Sequence, residues 1–313
     1  MLSAGPAGPA GPGGLPDGPA GDHEAWGFTS STGLGFTHHT IVDAHFRACA
    51  VPYQELLEQA RIQRGWRVLD AGCGPGEFLP WLAELVGPEG RVSAVDLAEE
   101  NAALAAERVA RWRSPCPVDV RQGDLLHLPY ADDSFDAVWC ANTVQYLDDD
   151  QLALALRELV RVVRPGGIVA VKDLDAHLIT ARPADPYLFS DFFRAAGNSP
   201  GYAAQLLRSR DLYRWLREAG LVGVRQQSMV IEHYAPLSEP AREFYGLSCA
   251  RLAEQAGQLG LSEEWRHFLD PAGPDHPLDA PDGYISEGNV LAVGTVPGAA
   301  AVDRLRQPPP VIE

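Results

Sequence analysis

Apolar and polar positions run in two alternating rhythms over residues 66–172. WRVLDA (66–71) is a short apolar run closed by glycines, as in a buried strand. Over 76–86, Phe78, Leu79, Leu82, Leu85 and Val86 share one helical face. RVSAVDL (91–97) predicts a second strand, 99–112 an alanine-rich helix, 118–122 a third strand and FDAVWCA (135–141) a fourth. Over 149–163, Leu152, Leu156, Leu159, Val160 and Val163 form one stripe. Asp148, Asp149 and Asp150 suit the positive start of that helix, Arg161 and Arg164 suit its end, and Pro165-Gly166-Gly167 stops it. A fifth strand follows at 168–172. This alternation implies βαβ crossovers and a parallel sheet covered on both faces. Helices at about 51–63 and 211–219 and strands at 224–232 and 288–296 complete the reading.

Two stretches interrupt the scheme, 174–210 and 235–285, and both are long enough to carry helices of their own. The expected organisation is therefore a Gly/Pro/Ala tail (1–21) unable to offset its ordering entropy, and an N-terminal helical cap (22–65) that includes Trp26, Phe28 and Phe36. An α/β core (66–173), a helical insertion (174–210) and a continuation of the core (211–234) follow. A second insertion (235–285), a last core strand (286–298) and a frayed tail (299–313) end the chain. Aromatics of the first insertion, Tyr187, Phe189, Phe192, Phe193 and Tyr202, stand at helical spacing and suit a core as well as the wall of an apolar cavity.

Charge narrows the partners. Forty-two acids against 25 bases give a formal net charge of −17 over 313 residues. Nucleic acid and anionic membrane surfaces call for clustered Lys and Arg, so neither is the expected partner. Lys172 is the single lysine, and a salt bridge is its expected role. Five cysteines without CxxC or Cys/His ligand spacing point away from a disulfide framework and a metal site. The chain opens without a basic region leading into an apolar core, so no signal peptide is expected and the compartment is read as the cytoplasm.

The densest chemical signal is Asp70-Ala71-Gly72-Cys73-Gly74-Pro75-Gly76, between a strand and a helix. Glycines there let the backbone turn sharply and approach a ligand. A pyrophosphate fingerprint would need glycine at 77, where Glu77 stands, which disfavours a nicotinamide-dependent oxidoreductase. Asp96 ends the second strand and suits two ribose hydroxyls; Asp124, after the third, could accept from an exocyclic amine.

These motifs resemble the class I S-adenosylmethionine-dependent methyltransferases. DAGCGPG is similar to their first motif, AVDL to the ribose-binding acid and GDLLHLPY to the adenine turn. FDAVWCAN resembles the fourth-strand motif and LVRVVRPGGI the post-helix turn. The nearest look-alikes are the ubiquinone and menaquinone C-methyltransferases and natural-product methyltransferases. The resemblance implies a doubly wound, mostly parallel seven-stranded sheet of Rossmann-like form with helical lids. It also implies S-adenosyl-L-methionine as cofactor. The Gly72–Gly76 backbone, with Cys73, Gly74 and Gly76, would pass under the methionine portion, and Asp70 would face its ammonium group. Asp96 and Leu97 would hold the ribose, Gly123, Asp124 and Leu125 the adenine, and Asn142 would lie near the methionine end. The implied function is methyl transfer to a small-molecule acceptor, a lipophilic specialised metabolite or a short peptide end. The alternative is a cofactor-binding cyclase or non-catalytic subunit.

In-line displacement from a sulfonium needs an aligned nucleophile and, for many acceptors, a base. The candidates are His38 and His39 in the aromatic-rich segment before the sheet, Tyr146 one turn after Asn142, and His177 beyond the fifth strand. Lys172 and Asp173, which end the fifth strand at the same edge, and His233 complete the candidates. Many family members carry a Glu-His pair where this chain has Gln145-Tyr146.

Overall fold

A computed structural model describes residues 30–298. The expectations for the 1–21 tail, for Trp26 and Phe28 and for the 299–313 tail lie outside the described residues. In chain order the elements begin with α1 (His39–Gln59), β1 (Arg67–Ala71), α2 (Leu79–Val86), β2 (Arg91–Asp96) and α3 (Glu99–Arg111). They continue with β3 (Val118–Gln122), β4 (Phe135–Ala141), α4 (Asp149–Val162) and β5 (Val163–Arg182). The remainder is α5 (Leu188–Ala196), α6 (Tyr202–Arg208), α7 (Leu212–Glu218), β6 (Val222–Tyr234), α8 (Glu239–Gln258) and β7 (Tyr284–Thr295).

The strands form one sheet in the order β3-β2-β1-β4-β5-β7-β6. The pairs from β3 to β5 are parallel, and β7 runs antiparallel to both β5 and β6. This is the doubly wound, mostly parallel seven-stranded architecture expected. α1, α2 and α3 cover one face, where Leu56, Leu82 and Ala105 meet Val68, Val92 and Trp139. α4 and α7 cover the other, where Leu156, Leu159 and Leu216 meet Leu69, Val138 and Val171. Each such buried Leu or Val contributes about 1.5–3 kcal/mol. A third cluster, with Phe189, Phe192, Trp265 and Phe268, packs α5 and α8 beyond the carboxyl ends of the central strands. α4 starts on a capping box: Asp148 accepts from the Gln151 N–H while the Gln151 side chain accepts from the Asp148 N–H.

The main departures from the sequence reading are in α1, β5 and β7, the last beginning at Tyr284 rather than 288. α1 begins at His39 rather than near 51, and Pro52 lies inside it rather than in its first turn. Its buried stripe of Ile41, Ala44, Cys49, Tyr53, Leu56 and Leu57 holds it against the sheet in spite of the missing N–H. β5 runs ten residues past Lys172, to Arg182. Asp173 and Asp175 interrupt the apolar pattern there, yet both are buried and paired, Asp173 with the Thr143 N–H at 3.2 Å and Asp175 with Arg210 at 2.9 Å. Among the described residues no helix is long and apolar enough to cross a membrane.

Candidate active site

The carboxyl ends of β1, β2 and β4 open into a cavity of about 510 Å³, bounded also by residues 30–37, α1, α5, α6 and α8. That is the edge where open α/β sheets place ligands.

The glycine turn forms its floor. Gly72 has φ +80°, and a Cβ there would meet Thr143 at 2.3 Å, so no other residue fits without displacing that side chain. Gly74 (φ +53°) donates its N–H to Asp96 Oδ2 at 2.8 Å, while Asp96 Oδ1 accepts from the Ala98 N–H at 2.9 Å. A carboxylate has about four acceptor positions, so Asp96 keeps capacity for a ligand. A Cβ on Gly74 would come no nearer than 3.7 Å to another residue, so the backbone there is open to the cavity. Cys73 is buried, its thiol donating to the Gly74 carbonyl at 3.4 Å, and burial pushes that thiol far up. Leu97, Gly123, Asp124, Leu125 and Asn142 line the same cavity, and Asp124 Oδ1 accepts from the Leu126 N–H at 2.8 Å.

Two expected residues lie behind the wall rather than in it. Gly76 packs against Leu79 and Ala105, where a Cβ would stand 3.0 and 3.1 Å from them. Asp70 is 1% exposed, and among the described residues its Oδ2 has no hydrogen-bond partner. Burial, with Asp96 nearby, pushes its carboxyl up to about 8. Burial also raises Asp96, opposed by the Ala98 and Gly74 N–H groups. A cationic group beside the glycine turn would relieve both carboxyls.

The N-terminal segment closes one side. The Ser31 N–H and hydroxyl donate to Glu100 at 2.5 and 2.6 Å, and Asn101 Nδ2 donates to the Thr37 carbonyl at 3.2 Å. The Tyr202 ring stacks on Tyr146 at 5.1 Å and on Phe36 at 6.0 Å, joining α6, the turn after β4 and this segment.

The expected proton carriers are placed differently. His38 and His39 are not in the cavity wall; His38 Nδ1 caps α1 by accepting from the Thr40 N–H at 3.3 Å. His177 is also outside the wall, bound through Nδ1 to the buried Asp175 at 2.8 Å. His233 stays outside as well. Tyr146 lines the cavity, but its hydroxyl donates to the Phe36 carbonyl at 3.2 Å and burial holds it at about 12, so it does not offer a phenolate near neutral pH. Among the described residues Lys172 makes no salt bridge of the expected kind. Fully buried, its ammonium donates to Asn142 Oδ1 at 2.6 Å and sits 3.6 Å from the Tyr53 ring centroid. Burial lowers it to about 8 against the pull of Glu287, Cys49 and Asp173.

A polar network that the sequence reading did not single out lies in the opposite wall. His45 Nε2 meets the two carboxylate oxygens of Glu287 at 2.9 and 3.1 Å and the Tyr53 hydroxyl at 3.1 Å. Tyr53 accepts from Asn142 Nδ2 at 3.4 Å, and Asn289 Nδ2 donates to Glu287 at 2.9 Å. Burial raises the Glu287 carboxyl, but His45, Lys172 and Asn289 together outweigh it and hold it at about 2. His45, Cys49 and Glu287 put three donor atoms within 4.8 Å. Each is already engaged, Cys49 Sγ with Glu287 and with the Tyr245 hydroxyl, both at 3.6 Å, so the group is a hydrogen-bonded cluster. The signal for it was the spacing of His45, Cys49 and Tyr53, four residues apart on one helix face.

The sequence also matches known proteins. A family described as a methyltransferase domain matches residues 68–167. The chain is 36% identical over 122 residues to the methyltransferase GfsG of Streptomyces halstedii, a match spanning 39% of this chain and 42% of that protein's length. It is 30% identical over 212 residues to a demethylmenaquinone methyltransferase of Listeria monocytogenes serotype 4a, covering 67% of this chain and 75% of the relative. Among solved structures it resembles an S-adenosylmethionine-dependent methyltransferase of Aquifex aeolicus, with 25% identity, a TM-score of 0.42 and coverage of 57% of this chain and 81% of that one. The chain belongs to the S-adenosylmethionine-dependent methyltransferase family.

Proposed function

We propose that the protein transfers a methyl group from S-adenosylmethionine to a small, largely apolar acceptor, and that donor and acceptor share the one cavity. The observation that carries this reading is continuity. The space over the glycine turn runs on into a chamber lined by Phe189, Phe192, Phe193, Phe244 and Ile285.

The residues suit the donor. It carries positive charge at sulfur and at its ammonium group, and the orphaned Asp70 oxygen beside Asp96 favours positive charge. Asp96 would take the ribose hydroxyls with its free acceptor positions, Asp124 the adenine amine, and Leu97 and Leu125 the base's faces. The open Gly74 backbone and Asn142 would border the methionine portion. When bound, the donor supplies an electrophilic methyl group. The chain's own residues position both partners and keep water out: the Phe36, Tyr202 and Tyr146 stack on one side, α5 and α8 on the other. The insertions at 174–210 and 235–285 serve here as the acceptor lid.

A lipophilic specialised metabolite is the acceptor class such a chamber suits, and the name of the Listeria relative also indicates a small-molecule acceptor. Five buried free thiols suit a reducing compartment, in keeping with the cytoplasm. Incubation with isotope-labelled donor and a panel of apolar metabolites, peptides and tRNA, read by mass spectrometry, tests the reading. Label on apolar small molecules is expected. Label on tRNA or protein alone would overturn it.

A further inference from the structure

We propose that His45 and Glu287 form the proton-accepting pair of this cavity, and that the acceptor reacts through a phenolic or enolic hydroxyl. The inference rests on the methyl-transfer reading above and adds to it the base and the reacting group.

The geometry sets the tautomer. A carboxylate only accepts hydrogen bonds, and both Glu287 oxygens lie within 3.1 Å of His45 Nε2. Nε2 therefore carries a ring proton, and in the neutral ring Nδ1 carries the lone pair. Among the described residues Nδ1 has no hydrogen-bond partner, and it is not among the buried polar atoms sealed off without one. His45, Glu287, Tyr53 and Asn142 all line the cavity. The ring is held by stacking on Phe244, with centroids 3.8 Å apart and planes 5° apart.

The surroundings suit a group that gains a proton. The titratable neighbours are Glu287 on β7, Tyr53 and Cys49 on α1, Tyr245 on α8, Lys172 on β5 and His233 on β6. Of these, the one carboxylate in contact is Glu287. It fixes the tautomer and faces the positive charge that appears on the ring, the part a carboxylate plays in a catalytic triad.

The hydroxyl follows from the chemistry of nucleophiles. A neutral amine attacks with its own lone pair and sheds its proton afterwards. A phenol or enol is a weak nucleophile until its proton leaves. In the step, the hydroxyl proton passes to His45 Nδ1 and the oxygen's electron pair forms the new O–CH3 bond. The S–CH3 bond breaks with its pair left on sulfur. The positive charge lost from sulfur is matched by the one gained on the imidazole, opposite Glu287.

Nitrogen-15 NMR of the full chain labelled at histidine, with S-adenosylhomocysteine added, reads the tautomer directly. The His45 signals are assigned by their loss in His45→Gln. A protonated Nε2 and an unprotonated Nδ1 whose shift responds to added 1-naphthol are expected; a protonated Nδ1 in the neutral ring overturns the pair. Calorimetry with S-adenosylhomocysteine runs alongside. No binding there defeats the methyl-transfer reading, whereas binding with the wrong tautomer defeats the pair alone. The second measurement compares labelled methyl transfer to 1-naphthol and to 1-naphthylamine. Label on the naphthol, with kcat falling about 10²–10⁴-fold in His45→Gln at unchanged S-adenosylhomocysteine affinity, is expected. Label on the amine instead, or on neither, overturns the hydroxyl class; an undiminished His45→Gln overturns the base.

Discussion

Gly72 and Thr143 interlock: the Thr143 hydroxyl donates to the Gly72 carbonyl at 3.2 Å, and a Cβ on Gly72 would stand 2.3 Å from the Thr143 side chain. Gly72→Ala therefore meets two costs, a left-handed backbone at φ +80° and a steric collision. Together they amount to about 2–4 kcal/mol of stability, read from a urea unfolding midpoint. Gly74→Ala is the contrast. Its Cβ would meet nothing closer than 3.7 Å, so its stability loss is expected at about 1–2 kcal/mol, from backbone strain alone. Its larger effect falls on donor affinity by calorimetry, because the added methyl occupies the open floor of the cavity.

Asp70 gives a pH signature. Its carboxyl rises from 3.8 to about 8 on folding through burial and Asp96. The folded state thus holds a proton that the unfolded state has lost. The stability this provides is complete below about pH 4 and disappears as pH rises through about 8. Glu77 and Asp173 slope the same way, so the informative quantity is the difference from Asp70→Asn. Without donor, Asp70→Asn should gain stability relative to the parent between about pH 5 and pH 8. Donor affinity should move oppositely: in the parent it grows as the carboxylate forms, and in Asp70→Asn that growth is absent. Equal pH dependence of donor binding in both proteins would separate Asp70 from the donor's charge.

The α/β core was legible because its signals are local. An apolar run, a glycine turn and an amphipathic stripe need no distant partner, and β1 to β4 lie within a residue of their predicted bounds. The chemistry of the opposite wall is not local. His45 and Glu287 are 242 residues apart in sequence, yet His45 Nε2 lies 2.9 Å from the Glu287 carboxylate. The helix is expected only from about 51, which leaves His45 before it, whereas α1 starts at His39. Glu287 precedes the apolar run GNVLAV, on which the strand is expected from 288, whereas β7 starts four residues earlier, at Tyr284. Buried charges hide elements in the same way in β5, where Asp173 and Asp175 read as a strand's end although their partners hold them inside the sheet. Histidines that looked available, His38 and His177, are used by a helix cap and by Asp175.

Tyr146 tests the distinction between wall and base. Its hydroxyl donates to the Phe36 carbonyl, and its ring stacks on Tyr202 with planes 11° apart. Tyr146→Phe keeps the ring and deletes one hydrogen bond, a loss of about 1 kcal/mol. The expected kinetic result is a raised KM through a looser Phe36 segment, with kcat nearly unchanged. A kcat loss of about 10²-fold or more would return Tyr146 to the role of proton carrier.

Arg108 joins α1 to the glycine turn. Its guanidinium donates to both oxygens of Asp43 at 3.1 and 2.6 Å, to the Pro75 carbonyl at 3.1 Å and to Glu77. Burial and the neighbouring Asp43 push Glu77 up to about 9, so near neutrality the pair of carboxyls retains one proton. Arg108→Met removes the cation and leaves that pair facing itself. The side chain is 40% exposed, so solvent screens part of the effect, and a loss of about 1–2 kcal/mol is expected near neutral pH. Arg108 holds Asp43 below its ordinary range and opposes the rise of Glu77, so the gap to the parent should shrink as pH falls below about 4, where Asp43 takes up its proton, and widen as pH rises through about 9, where the parent releases the Glu77 proton and the variant keeps it. Arg108→Lys should recover only part of it, since an ammonium cannot span Asp43, Pro75 and Glu77 together. Melting temperatures across that pH range read the gap. A gap that stays constant with pH would mean that Arg108 acts by packing rather than by holding the two carboxyls.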